Sequence, residues 1–379
     1  MTDRESTTRI LQGRIWHRLL IAGLLPAAAF AQTAFNWQQI KDKFVAGNPT
    51  LKAAQLSIDE SRAAEITAYL RPNPDFTGTL DQINPFAKIP SPTGVEVYRP
   101  LTNALPYGSL GYLIERGNKR ALRRDQARQT TSISESTYLD QERGLVFNLR
   151  SAFVQTLQAK AFLQNAQENL AYWDRELAVN RLRFQAGDLA QVDLDTLELQ
   201  RVQFESDYET ALVNLRTAKI QLLMLMNDRT PIDQFDVSGP YDFSEELRPL
   251  EEFHNVALDA RPDLKAAVQT VELAKITHQL AVANGTTDPT VTFDFARNPP
   301  IPVYFGLSVS IPLRIFDRNQ GEKARTQLDV SLNERLLDAN RALVFSDVDS
   351  AYWTLVQNVN LLKPYKAKYL PLAASGLSR

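Results

Sequence analysis

Side chains able to make or break bonds are scarce in this chain. None of its 379 residues is cysteine, which removes thiol nucleophiles, disulfides and zinc–thiolate sites. Past the N-terminal leader the histidines are His254, in a short helical segment, and His278, on a helix face. A catalytic or metal-ligating histidine needs convergent partners, and both read instead as packed or solvated. Gly-x-Ser-x-Gly, phosphate-loop and Gly-x-Gly-x-x-Gly patterns are absent. Met224 and Met226 lie near the end of an apolar helix, where packing is the expected role; a soft-metal site would want more thioethers. The residues point away from an enzyme, and no cofactor or metal is expected.

One stretch does demand a particular backbone. Arg183-Phe184-Gln185-Ala186-Gly187-Asp188-Leu189-Ala190-Gln191-Val192-Asp193 reads as a tight reversal, with Gly187 where φ > 0 is needed. Asp188 or Asp193 is expected to cap the returning helix. Arg183, Phe184, Gly187, Asp188 and Asp193 are therefore the candidate functional residues. The elements that position them are two long helical arms. Residues 118–230 contain no proline and only two glycines, Gly144 and Gly187. Apolar residues recur at three- and four-residue steps, as Leu145, Leu149, Ala152, Phe153 and Leu157 on one arm and Leu194, Leu197 and Val202 on the other. The first arm would run roughly 100 Å at about 1.5 Å per residue. A helix that long needs a partner, and the second arm supplies it as an antiparallel hairpin.

The N-terminus carries an address. Arg9, Arg14 and Arg18 precede an apolar run of about a dozen residues, short of the roughly 20 that span a bilayer. Ala29-Phe30-Ala31 then offers a small-x-small cleavage site, so 1–31 reads as a secretory signal peptide. No lipid-attachment cysteine follows it, and no acyl anchor is expected. Lys and Arg total 42 against 44 Asp and Glu, which leaves no basic footprint for nucleic acid. No other stretch is apolar enough for a transmembrane helix, so a membrane-resident form would have to use β-strands.

Strand patterns are present. Residues 35–71 read as a helix broken at Asn48-Pro49, after which the period changes from 3.6 to 2. Phe76, Gly78 and Leu80 alternate with Thr77, Thr79 and Asp81, and Leu110, Tyr112 and Ile114 with Ser109, Gly111 and Leu113. The proline-bearing residues 84–106 between them read as loop. After an acidic connector at 231–249, helix resumes near Leu250 and breaks near Arg261-Pro262. Val291, Phe293 and Phe295, then Phe305, Leu307, Val309, Ile311 and Leu313, alternate with polar or small residues before a second long helix from about residue 318. The order helix–strand–strand–long helix thus occurs twice. Pro49-Thr50-Leu51-Lys52-Ala53-Ala54 recurs as Pro262-Asp263-Leu264-Lys265-Ala266-Ala267, and Ser151-Ala152-Phe153 as Ser350-Ala351-Tyr352.

These features together resemble the TolC-like outer-membrane efflux family across nearly the whole mature sequence. The resemblance rests on Arg261-Pro262-Asp263-Leu264 and its earlier echo, on Arg183-Phe184, Gly187 and Asp193 at the tip, and on Ser310-Ile311-Pro312-Leu313. Residues 114–120 are similar to the Glu-x-Gly-Gly-Lys-Arg of the heavy-metal branch, with Asn118 replacing the second glycine. The resemblance implies a membrane β-barrel joined to long α-helical coiled-coil hairpins, four strands per subunit and a trimer. It implies a first repeat at 32–230 and a second at 231–379. The second is expected to be incomplete: carrying the spacing between Phe153 and Tyr352 onto Gly187 places its counterpart beyond Arg379.

As function, the resemblance implies a passive exit duct in the outer membrane, for small molecules or metal cations delivered by an inner-membrane pump and a periplasmic adaptor. The tip residues would dock that adaptor. Lys119, Arg120, Arg123 and Arg124 are expected to form a basic face that snorkels at the membrane's inner edge. The alternative is a soluble periplasmic coiled-coil adaptor or scaffold, which the amphipathic strands disfavour.

Overall fold

The computed structural model describes residues 34–241, 246–298 and 300–372. The expected signal peptide lies outside these residues. Helix α1 (Trp37–Gly47) opens on a capping box, in which Asn36 and Gln39 side chains each accept the other's backbone N–H at 2.9 Å. It stops at Asn48, whose side chain caps α2 (Pro49–Ala68) by accepting from Thr50 and Leu51 N–H. Pro49 sits at the first helical position, where its missing N–H costs nothing.

Strand β1 (Asp75–Asp81) follows, then β2 (Lys88–Pro90), β3 (Glu96–Tyr98) and β4 (Leu105–Leu113). The stretch expected as loop therefore holds a small β2–β3 hairpin, bolstered by Lys88, which pairs with Glu96 at 3.4 Å and lies over the Tyr98 ring. Helix α3 (Lys119–Gln185) is a single 67-residue element, and α4 (Gln191–Leu225) returns along it. Then come α5 (Leu250–Ala260), α6 (Pro262–Asn284), β5 (Thr290–Asn298), β6 (Ile301–Ser310) and α7 (Gln320–Pro364).

The same devices recur in both halves. Helices α1 and α5 are each 11 residues, and both give way to a helix with proline at its first position. Both long helices α3 and α7 begin after an asparagine in the left-handed region, Asn118 at φ 59° and Asn319 at φ 62°. Asn118 thus adopts the backbone that a glycine would otherwise favour.

Sheet order is β1–β4–β5–β6, antiparallel throughout. Helices α2, α3, α6 and α7 pack side by side in the matching order, because each continues from or into its strand.

The main apolar core lies part-way along α3. Leu149, Phe153 and Leu157 meet Ile40 and Phe44 of α1, Leu222, Leu223 and Met226 from the end of α4, and Phe235 and Val237. These last two belong to the connector, so its first part is a packed belt. Its backbone bridges Phe35, and its Asp236 receives Lys160 at 2.6 Å while Lys219 Nζ donates to the Phe235 carbonyl at 2.6 Å. Burying the Lys219 ammonium requires such a partner.

Candidate functional site: a two-faced open sheet and a hairpin tip

Strand register sorts the side chains by face. Phe76, Leu110, Phe293 and Leu307 are directly paired across all four strands, and Tyr112, Val291 and Val309 across three. Gly78, Gly108, Phe295 and Phe305 form the next row, on the side of the first away from Tyr112. This face is apolar from edge to edge, and its Phe76, Leu110, Phe293, Phe305 and Leu307 side chains are exposed. Phe293 stacks on Phe305 with centroids 5.7 Å apart. The phenyl ring of Phe295 lies across Gly108, where a Cβ would come within 2.2 Å of it.

The opposite face is polar. Thr77, Ser109, Asp294 and Gly306 form one row, and Gly111, Thr292 and Ser308 another. Tyr107 Oη donates to Asp294 Oδ1 at 2.8 Å. One face thus suits an apolar phase and the other water, while β1 and β6 leave their outer edges unpaired among the described residues.

At the helical end of the sheet the basic run is tied down, contrary to the snorkelling expectation. Lys119 is 4% exposed; its ammonium donates to Asp288 Oδ2 at 2.6 Å and to the Thr286 carbonyl at 2.8 Å. Asp288 also accepts the Arg116 N–H at 2.8 Å. Burial pushes the Asp288 carboxyl up, but the Lys119 and Arg116 hydrogen bonds outweigh it and hold the group below the ordinary carboxylate range. Arg123 forks onto both Glu115 oxygens, lowering that carboxyl, and Arg120 and Arg124 lie over the Tyr69 ring. A buried ammonium must be paired, and the partner comes from the other half of the chain.

At the far end of the hairpin, Gly187 has φ 84° and its N–H bonds the Phe184 carbonyl at 3.0 Å. Asp188 N–H bonds the Arg183 carbonyl at 2.8 Å, completing a Schellman motif. The expected side-chain cap is not formed. Ala190 occupies the N-cap position, and Asp193 lies in the first turn of α4, where its charge favours the helix dipole. Arg183, Gly187, Asp188 and Asp193 are exposed and Phe184 is half-buried, so the five residues are gathered in one small turn. Behind it the arms are clamped by Arg181–Glu198 at 2.9 Å, Arg201–Asp174 at 2.6 Å and Trp173 stacked on Phe204.

The histidines are occupied separately. His254 Nε2 lies 2.7 Å from Asp349, and His278 Nδ1 lies 3.0 Å from Thr326 Oγ1. Met226 is buried in the core and Met224 is exposed. Among the described residues no three His, Asp or Glu side chains gather as a metal site, and no helix is long and apolar enough to cross a membrane.

Two functional features escaped the sequence reading. The Lys119–Asp288 strut joins residues far apart in the chain, and the only local hint was a lysine after Gly117-Asn118. The Arg261 fork onto Asp263, extended to Asp347 at 3.0 Å, explains the Arg-Pro-Asp-Leu run: it fixes the α5–α6 break against α7.

No protein-family profile matches the chain. Over 340 residues it is 27% identical to the cobalt-zinc-cadmium resistance protein CzcC of Cupriavidus metallidurans, spanning 85% of this chain and 77% of that protein. The outer-membrane channel OprN shares its fold at TM-score 0.70 and 14% identity, over 90% of this chain and 79% of that one. VceC, an outer-membrane protein of Vibrio cholerae, does so at TM-score 0.63 and 13% identity, over 86% and 81%. The chain is thus similar in sequence to CzcC and shares its fold with these outer-membrane proteins.

Proposed function

We propose that the chain is one subunit of an outer-membrane exit duct in a tripartite efflux system, passing cargo delivered by an inner-membrane pump and a periplasmic adaptor. The observation that carries this reading is the four-stranded sheet, apolar and exposed on one face, polar on the other, and unpaired at β1 and β6 among the described residues. In lipid an open edge leaves backbone groups unsatisfied, so copies must close the barrel together. Three copies would place β6 of one beside β1 of the next, with the polar faces lining a water-filled lumen.

The helices continuing from the strands would extend that lumen into the periplasm as a coiled-coil tunnel. The recurring devices, with Pro49 matching Pro262 and Asn118 matching Asn319, support reading 32–230 and 231–379 as two repeats. The exposed turn of Arg183, Phe184, Gly187, Asp188 and Asp193 would dock the adaptor. No bond is made or broken; the pump supplies the energy. Metal cations are the favoured cargo, supported by the resistance named for CzcC and by Asp75, Asp81 and Asp294 on the strands of this chain.

Cysteines placed in pairs along β1 and β6 test the assembly, since the chain has none of its own. Oxidation in outer-membrane fractions should give a covalent trimer. Recovery of the protein in the soluble periplasm without detergent would contradict the duct.

A further inference from the structure

The two hairpins of the sheet end at different heights. Thr79, Tyr107, Ala296 and Tyr304 lie level across the four strands, and β5 turns back two residues later, where Asn298 pairs with Ile301. The β1–β4 hairpin instead continues past its Asp81–Leu105 pair into the whole of 82–104. That extension is fixed by its own backbone. Asn84 N–H donates to the Pro100 carbonyl at 3.1 Å, Arg99 N–H donates to the Ala87 carbonyl at 3.0 Å, and β2 pairs with β3.

What this projection presents is apolar. Phe86 is 81% exposed, and Val95, Tyr98 and Leu101 are each more than half exposed. Lys88 pairs with Glu96 and lies over the Tyr98 ring, which leaves Arg99 as the one other charge in 82–104. Apolar side chains held out on a fixed backbone mark a contact face. Among the described residues nothing else in the sheet rises to that height, so the matching surface is the same hairpin on another copy. With Lys88 and Glu96 neutralising each other, little charge keeps such copies apart.

The distances allow the contact. Three copies of four strands, spaced about 4.8 Å and tilted about 40°, close into a ring of roughly 12 Å radius. Tyr98 is seven residues beyond Leu105, up to about 23 Å of strand at roughly 3.3 Å each. A hairpin leaning inward therefore reaches the axis.

We propose that the 82–104 hairpins of three copies meet above the barrel, bring Phe86 and Tyr98 together over its axis and constrict the outer mouth. This rests on the sheet closing into a barrel of three copies. The duct then carries a restriction at its outer end made of aromatic side chains.

Cysteine cross-linking tests it on the full chain, which has no cysteine of its own. Tyr98→Cys and, separately, Phe86→Cys are oxidised with copper phenanthroline in outer-membrane fractions, while cysteine pairs across β1 and β6 report the barrel seam. The expected result is a disulfide-linked dimer from each hairpin variant, alongside seam cross-links. In planar bilayers the double variant Phe86→Ser/Tyr98→Ser should carry a single-channel current severalfold above that of the unaltered protein. Hairpin cysteines that stay monomeric and react with a membrane-impermeant maleimide on whole cells, with the seam cross-linked, would overturn the constriction and leave the barrel standing. Hairpin cysteines that neither cross-link nor react would place the hairpin against lipopolysaccharide or another protein and also overturn it. So would an unchanged current in the double variant. Missing seam cross-links would bring down the barrel and the constriction together.

Discussion

The Lys119 ammonium, at the start of the first long helix, lies 2.6 Å from the Asp288 carboxylate, just ahead of the third strand of the sheet. This pair joins the two halves of the chain at the level where sheet becomes helix. Asp288→Ala would leave a buried ammonium without its carboxylate, at a cost of about 3–5 kcal/mol. Thermal melts followed by helical circular dichroism should show a large drop for that variant. The double variant Lys119→Met/Asp288→Leu should recover most of it, because no uncompensated charge remains.

A crowded pair sets the shape of the sheet. With Phe295 lying across Gly108, a Cβ at Gly108 has no room, whereas one at Gly78 would meet Phe76 at an ordinary 3.6 Å. Gly108→Ala should destabilise the folded sheet by about 1–3 kcal/mol, as overpacking does. Gly78→Ala should be nearly silent. The temperature at which the folded form converts to the unfolded band on gels reads both, and Phe295→Ala should rescue Gly108→Ala.

Acid should loosen the helical region. Burial raises the carboxyls of Asp236 and Asp263, but Lys160 and Arg261 respectively outweigh it, and both groups are held below their ordinary value. A carboxylate whose folded pKa is depressed stabilises the fold above its unfolded pKa of about 3.9. That contribution is lost as pH falls through the folded value. Melting temperature should therefore be flat from neutrality to about pH 4 and decline below it. Asp263→Asn should reduce the decline.

How much of this was legible in sequence depended on range. The turn at Gly187 and the breaks at Pro49 and Pro262 were readable, because glycine and proline fix backbone angles by themselves. Strand parity was readable too, since period 2 sorts faces without knowledge of the partner strand. The cap at α4 was misread: capping depends on the backbone at Ala190, and neither Asp188 nor Asp193 occupies that position. Lys119 was misread as part of a snorkelling basic face because its partner is 169 residues away. Phe235 and Val237 looked like linker for the same reason, their packing partners being on α1, α3 and α4.

The tip offers a separation of stability from docking. Gly187 has φ 84° and nothing within 4 Å of where a Cβ would stand, so a side chain there costs backbone strain alone, about 1–2 kcal/mol and confined to the turn. Gly187→Val should leave protein levels near normal and sharply reduce export from cells. Gly187→Asn, which tolerates this backbone, should retain most of it. Intact export by Gly187→Val at normal levels would show that the tip does not dock an adaptor.

Conductance tests the central claim most directly. The purified protein, added to a planar lipid bilayer as a detergent-stable trimer, should insert and give discrete, stepwise ion currents through a water-filled lumen lined by the polar sheet face. A trimer that inserts yet passes no current would contradict the duct.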